Sequence, residues 1–237
     1  MLVVMYISDQ RLPKKASLVI QPEVLLERPL IAVLVGLVIA TWADIEGKLE
    51  AIFLLCVRDQ TALAEFKKIK GWDARSKFFV QSMQSRQGET LAIEVRAILR
   101  YIAKPANKRH DIAHGIFAVC KELPNDLVVA SREIYTGAVE EALRAEELGT
   151  PYLVLNRETY FATARVVTVA HLEQLLAELD EANTLAHNFM SENFPEIVRV
   201  RSSEMPPRVA DHPDIAMRIQ NAKAGIKKRD KKQKQTK

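Results

Sequence analysis

Cysteine is scarce in this chain: Cys56 and Cys120 are the only two among 237 residues. Two thiols in apolar runs (LLCV and AVCK) make no disulfide framework, so a reducing compartment and buried free thiols are expected. No paired-cysteine motif is present, which excludes zinc ribbons and iron–sulfur centres. A hydrophobic run long enough for a bilayer is also missing. Leu30 to Ala43 (LIAVLVGLVIATWA) is uncharged but only fourteen residues long, where a span needs roughly 20. Asp44, Glu46, Lys48 and Glu50 follow at once, so a buried core helix is expected there. The opening MLVVMYISDQ lacks a charged start and a cleavage pattern, so no signal peptide is expected. No internal repeat is visible. Together these absences predict a soluble cytoplasmic protein with no membrane partner.

Hydrophobic residues make up 48% of the chain, enough for a substantial core and for one domain with appendages. The net charge of +4 is unevenly spread. Residues 223–237 hold eight basic side chains against the single acid Asp230, a net +7, which leaves −3 for the other 222 residues. A basic arm on a mildly acidic body follows.

Periodicity predicts a mainly α protein, an up-and-down helical bundle with a small β-rich insertion. Residues 1–28 read as an irregular lead-in with a short strand at 2–7. A helix is expected from Pro29, a favoured first-turn residue, to about 58. Its stripe is Leu34, Leu37, Val38, Thr41, Ile45, Leu49, Ile52, Phe53 and Cys56. Further helices are expected over 61–70, 72–84 and 89–104. Pro105 should break the last of these, with a new helix over 106–114 ended by Gly115. Residues 116–165 form the insertion within a helical domain spanning 29–195. In it a hairpin should turn at Pro124-Asn125, a helix should cover 135–147, and YLVLN and ETYFAT should be strands. Thr168 should cap an amphipathic helix to about Asn193. Residues 196–237, with four prolines between 195 and 213 and then the lysine run, are expected to be extended or disordered.

The segment Asn107-Lys108-Arg109-His110-Asp111-Ile112-Ala113-His114-Gly115 carries the densest chemistry, with two of the five histidines. On a helix, Arg109 and His114 lie ~140° apart with ~7.5 Å of rise, so both side chains can converge at the helix end. The dipole at a C-terminus should favour protonated His114 and raise its pKa. An imidazole titrating near neutrality beside a guanidinium suits phosphodiester cleavage: one moves a proton and the other holds negative charge. His110 or Asp111 would orient them, with Asn107 in support. Glu46, one turn beyond Trp42, is a carboxylate for Arg109 or another base, or else half of a structural ion pair.

Here the sequence resembles the HEPN superfamily, whose signature is arginine, a polar residue, a short spacer and histidine. Arg109, His110 and His114 match it, and RHDIAHG is similar to the R-polar-x-x-A-H-G form. Trp42-x-x-x-Glu46-x-x-Leu49 and Thr168-Val169-Ala170-His171-Leu172 are also similar to family helices, and the likeness covers about 30–193. The resemblance implies a HEPN-like fold and metal-independent RNA cleavage in which the 2′-hydroxyl attacks its own phosphate, without a cofactor. A toxin or phage-defence role, an antitoxin or other protein partner, and a homodimer are implied in the same way. Arg165 to His171 offers an allowed longer spacing but fails on context, because Val166 is apolar and His171 opens a helix.

Other readings stand beside this one. Arg109 and His114 also suit a solvated helix end, where cations are favoured. A non-catalytic HEPN-fold module that binds RNA or protein is the alternative function. His110-Asp111-x-x-His114 is loosely like HExxH and could hold Zn²⁺ or Fe²⁺, but no third ligand is evident, so no metal is assigned. Lys108, Lys227, Lys228, Arg229, Lys231 and Lys232 are the candidate phosphate-binding cations.

Overall fold

The computed structural model describes residues 12, 18–21, 23–132, 164–197 and 207–235, with isolated positions between 136 and 147, and side chains as far as 224. The chain is mainly helical with one small sheet. In order it forms β1 (Leu18–Ile20), α1 (Val24–Glu27), α2 (Pro29–Val57), α3 (Gln60–Lys68), α4 (Trp72–Gln87) and α5 (Glu89–His114). Then come β2 (Ile116–Cys120), β3 (Leu123–Ala130), β4 (Arg165–Val167), α6 (Val169–Asn193), a 3₁₀ turn (Val209–Asp211) and α7 (Pro213–Gln235). Two compact units are discontinuous in sequence: Met1–Ala40 with Asn107–Ala177, and Thr41–Ala106 with Glu178–Lys237. The strands expected within 2–7 and 152–163 lie outside the described residues. The described positions between 136 and 147 are helical.

The second unit is built on aromatic packing. Phe53 stacks on Phe66 at 4.7 Å, and Phe79 meets both edge-on at 5.1 and 5.4 Å. All three rings are fully buried, each contributing about 1.5–3 kcal/mol of transfer free energy. Asp59 caps α3 by accepting from the amides of Thr61 and Ala62 at 2.9 and 3.1 Å. Gly71 and Gly88 bracket α4 at φ of 85° and 84°, a region costly for any residue with a Cβ.

In the first unit the four strands form an antiparallel meander in the order β1-β2-β3-β4. The expected hairpin is present, but its turn is at Lys121-Glu122, since Cys120 pairs with Leu123. Pro124 and Asn125 instead belong to β3, where the register shifts between Ala118 and Cys120. β4 pairs only with Leu127–Val129, so the missing Pro124 N–H falls beyond its reach. Arg28 steadies this irregular stretch, donating to the carbonyls of Pro124, at 2.7 Å, and Asp126.

Two helical expectations fail. Pro105 does not end a helix: α5 runs through it from Glu89 to His114. An internal proline costs ~3 kcal/mol, and burial of Ile98, Leu99, Ile102, Ala106 and Ile112 offsets it. The basic C-terminal stretch is not extended: α7 covers Pro213–Gln235, anchored by the buried Ile215 and Ile219 one turn apart. Thr168 caps α6 as expected. Its Oγ1 accepts from the His171 amide at 3.2 Å, and His171 Nδ1 accepts from the Thr168 amide at 3.3 Å, a reciprocal box. His171 therefore opens a helix, and Arg165 sits on β4.

α2 buries one face, including Leu34, Val38, Ile45 and Ile52, but not all of it: Leu37, expected in the core, is 45% exposed. Its apolar window has mean hydropathy 1.9 and is one-third buried. By length and composition alone α2 could cross a bilayer, a test that core helices also pass.

Candidate functional site at the end of the fifth helix

The last turns of α5 hold the candidate residues because a glycine lets the chain turn there. Gly115 follows His114, and its amide donates to the Asp111 carbonyl at 2.8 Å. Its role is room and not left-handed backbone, since its φ is not positive. A Cβ would overlap Val129 Cγ1 and lie 2.5 Å from the Asp111 carbonyl oxygen. The helix end is thus pressed against β3, which brings in a residue that spacing alone did not suggest. Arg132, just after β3, donates from Nε to the His114 carbonyl at 3.0 Å, capping a carbonyl that the helix leaves open.

His110 and His114, one turn apart, face each other with ring centroids 4.6 Å apart and planes tilted by 52°. Both are exposed, as are Asn107, Asp111 and Arg132, while Arg109 is half-buried. Lys108 keeps only 6% of its surface, so it is placed within the unit and not toward a nucleic acid.

The His114 imidazole lies below its ordinary pKa, opposite to the direction expected from the helix dipole. Partial desolvation is the leading cause, followed by the charges of His110, Arg109 and Arg132. The Arg132 guanidinium sits on the very carbonyl whose partial negative charge was expected to hold the proton. Desolvation and the neighbouring charges together outweigh the half-charge of the helix end, which the Arg132 guanidinium already meets. The structure thereby pairs His110 with His114 and adds Arg132, with the charge of Arg109 also acting on His114.

Glu46 lies elsewhere in the fold. In the second unit Arg75 of α4 donates to Glu46 at 2.9 Å and to Glu50 at 3.4 Å, and its guanidinium lies 4.5 Å over the Phe66 ring. The base that Glu46 serves is Arg75, in a structural pair. Lys227, Lys228, Arg229, Lys231 and Lys232 all fall on α7, with side chains outside the described residues. Among the described residues no three His, Cys, Asp or Glu side chains gather as a metal site would require.

No family profile, curated protein or solved structure matches this chain.

Proposed function

We propose that this protein is a HEPN-like, metal-independent endoribonuclease in which the exposed end of α5 acts on the scissile phosphate. The observation that carries the reading is the cluster itself: two facing imidazoles at 4.6 Å with the charges of Arg109 and Arg132 bearing on His114. A His114 held below its ordinary pKa is mostly neutral at pH 7, the form that can accept the 2′-hydroxyl proton. As the 2′-oxygen bonds to phosphorus, the phosphorus–5′-oxygen bond breaks, leaving a 2′,3′-cyclic phosphate. The proton taken up by His114 passes to the departing 5′-oxygen, and the two guanidiniums suit the negative charge that grows on the phosphate. Phosphate ester oxygens need no other electrophile in this scheme, so EDTA should not slow it.

The basic run on α7 favours a second reading, an RNA-binding protein without cleavage. One experiment separates them. Purified protein is incubated with total RNA in EDTA, beside the Arg109→Ala and His114→Ala variants. Cleavage by the wild type that both substitutions abolish supports the nuclease. Binding without cleavage supports the second reading, and cleavage that survives both substitutions removes this site.

A further inference from the structure

One carboxylate of the second unit ties the start of α7 to two other helices. Glu181 of α6 accepts from the hydroxyl of Tyr101 on α5, and its other oxygen lies 2.8 Å from Nε2 of His212, the residue before α7. An ionised carboxylate can only accept, so Nε2 carries the hydrogen and donates it. The Tyr101 and His212 rings meet edge to face with centroids 5.1 Å apart. Among the described residues the buried Nδ1 of His212 finds no partner, so the ring's polar anchorage is Glu181. The His212 carbonyl accepts from the Ala216 amide at 2.8 Å, which joins this anchor to the first turn of α7. Around the contact stand Glu178, paired with Lys104 at 3.3 Å, and Asp214.

Few apolar contacts share the load. From 207 to 224 the buried apolar side chains are Val209, Ile215 and Ile219, whereas α6 buries Leu172, Leu175, Leu179, Leu185 and Phe189 among others. A segment so lightly packed opens more readily than the core, and its polar contacts decide how often. We infer that Glu181 is an acid-sensitive latch: ionised, it holds α7 against α5 and α6, and protonated, it lets α7 go while α6 stays folded. Release frees the helix that bears the basic run, net +7 over residues 223–237. The bonds from His212 first, and from Tyr101, hold the Glu181 carboxyl below the usual glutamate range. Its contribution to docking is therefore fully present above the unfolded pKa and is lost as pH falls from there through the folded one. Tyr101 stays a donor throughout, because burial and then Glu181, Asp214 and Glu178 hold its hydroxyl above the usual range. Farther along α5, Glu94 is held above its range by burial and by Glu192, with Lys223 acting the other way. Its protonation favours the folded state and opposes the latch, so a Glu181 variant that keeps Glu94 is the proper comparison.

The test is hydrogen exchange of the full chain between about pH 6 and about pH 3.5, each rate corrected for its intrinsic pH dependence. In the wild type, protection of the α7 amides between 216 and 224 should fall about tenfold. That is the worth of two charge-assisted hydrogen bonds, discounted for a Glu181 side chain that is 50% exposed. The α6 amides between 172 and 189 should keep their protection. Glu181→Gln keeps a polar group in place without a titrating charge, so α7 should stay docked and the fall should vanish. Tyr101→Phe removes one of the two donors and should move the midpoint of the fall to higher pH. Unchanged protection of α7 in the wild type overturns the proposal, as does an equal fall in Glu181→Gln or a simultaneous loss in α6. Should Glu181→Gln fail to fold, Tyr101→Phe decides, and an unmoved midpoint overturns the latch.

Discussion

Replacing Gly115 by alanine adds one methyl group to the contact that holds α5 against β3. That methyl would overlap Val129 Cγ1, approach the Asp111 carbonyl oxygen to 2.5 Å and the Ala130 carbonyl oxygen to 3.3 Å. Two of the three obstacles are backbone oxygens, and Val129 is itself 3% exposed, so neither side can yield freely. Overpacking of this kind costs about 1–3 kcal/mol. For a chain of this size each kcal/mol moves Tm by about 2–4 °C, so a fall of roughly 2–12 °C is expected. Gly47→Ala is the matched control: it lies inside α2 with none of the described residues within 4 Å of where the Cβ would be. That change should be neutral or stabilise by up to about 1 kcal/mol. Both are read by thermal melting followed by far-UV dichroism. A Gly115→Ala protein that melts at or above wild type would refute the close approach, and with it the reason that Arg132 reaches His114.

Three further expectations concern charge. An NMR titration of His114 should give a midpoint below the ordinary imidazole value of about 6.5, and Arg132→Ala should raise it. The folded value lies below the unfolded one, so the group's contribution to stability is fully present above the unfolded pKa and is lost as pH falls from there through the folded pKa. A midpoint above the ordinary value would restore the dipole as the stronger influence. Arg75→Ala removes both carboxylate contacts and the cover over Phe66. With side chains 18%, 36% and 29% exposed, a loss of about 1–2 kcal/mol is expected in urea unfolding. Deleting residues 223–237 removes the net +7. It should flatten the dependence of log affinity for single-stranded RNA on log salt by a slope of up to about 5. An unchanged slope would take α7 out of RNA binding.

Long periodic segments were legible in the sequence. The limits of α2 and α6, the Thr168 cap and the presence of the hairpin follow from spacing and capping chemistry. What was not legible depended on distant partners. Pro105 reads as a breaker until the apolar residues on both sides of it are seen buried along one helix. The lysine run reads as a solvated tail, but Ile215 and Ile219 after Pro213 were the signal for a helix start. Lys108 reads as a surface cation because nothing local shows its burial. The pKa of His114 was misjudged because the helix dipole is a local property. Arg132, eighteen residues on, arrives only through the β2–β3 pairing.

The proposed cleavage needs an exposed imidazole and two guanidiniums to act through an RNA 2′-hydroxyl, and matched substrates test that most directly. The full-length protein is given an RNA and the DNA of the same sequence, in EDTA at neutral pH, and the product ends are identified. The account predicts RNA fragments ending in 2′,3′-cyclic phosphate, intact DNA, and a rate about 10²–10⁴-fold lower for His114→Ala. Cleavage of both strands alike, or RNA fragments ending in 3′-hydroxyl, would contradict it.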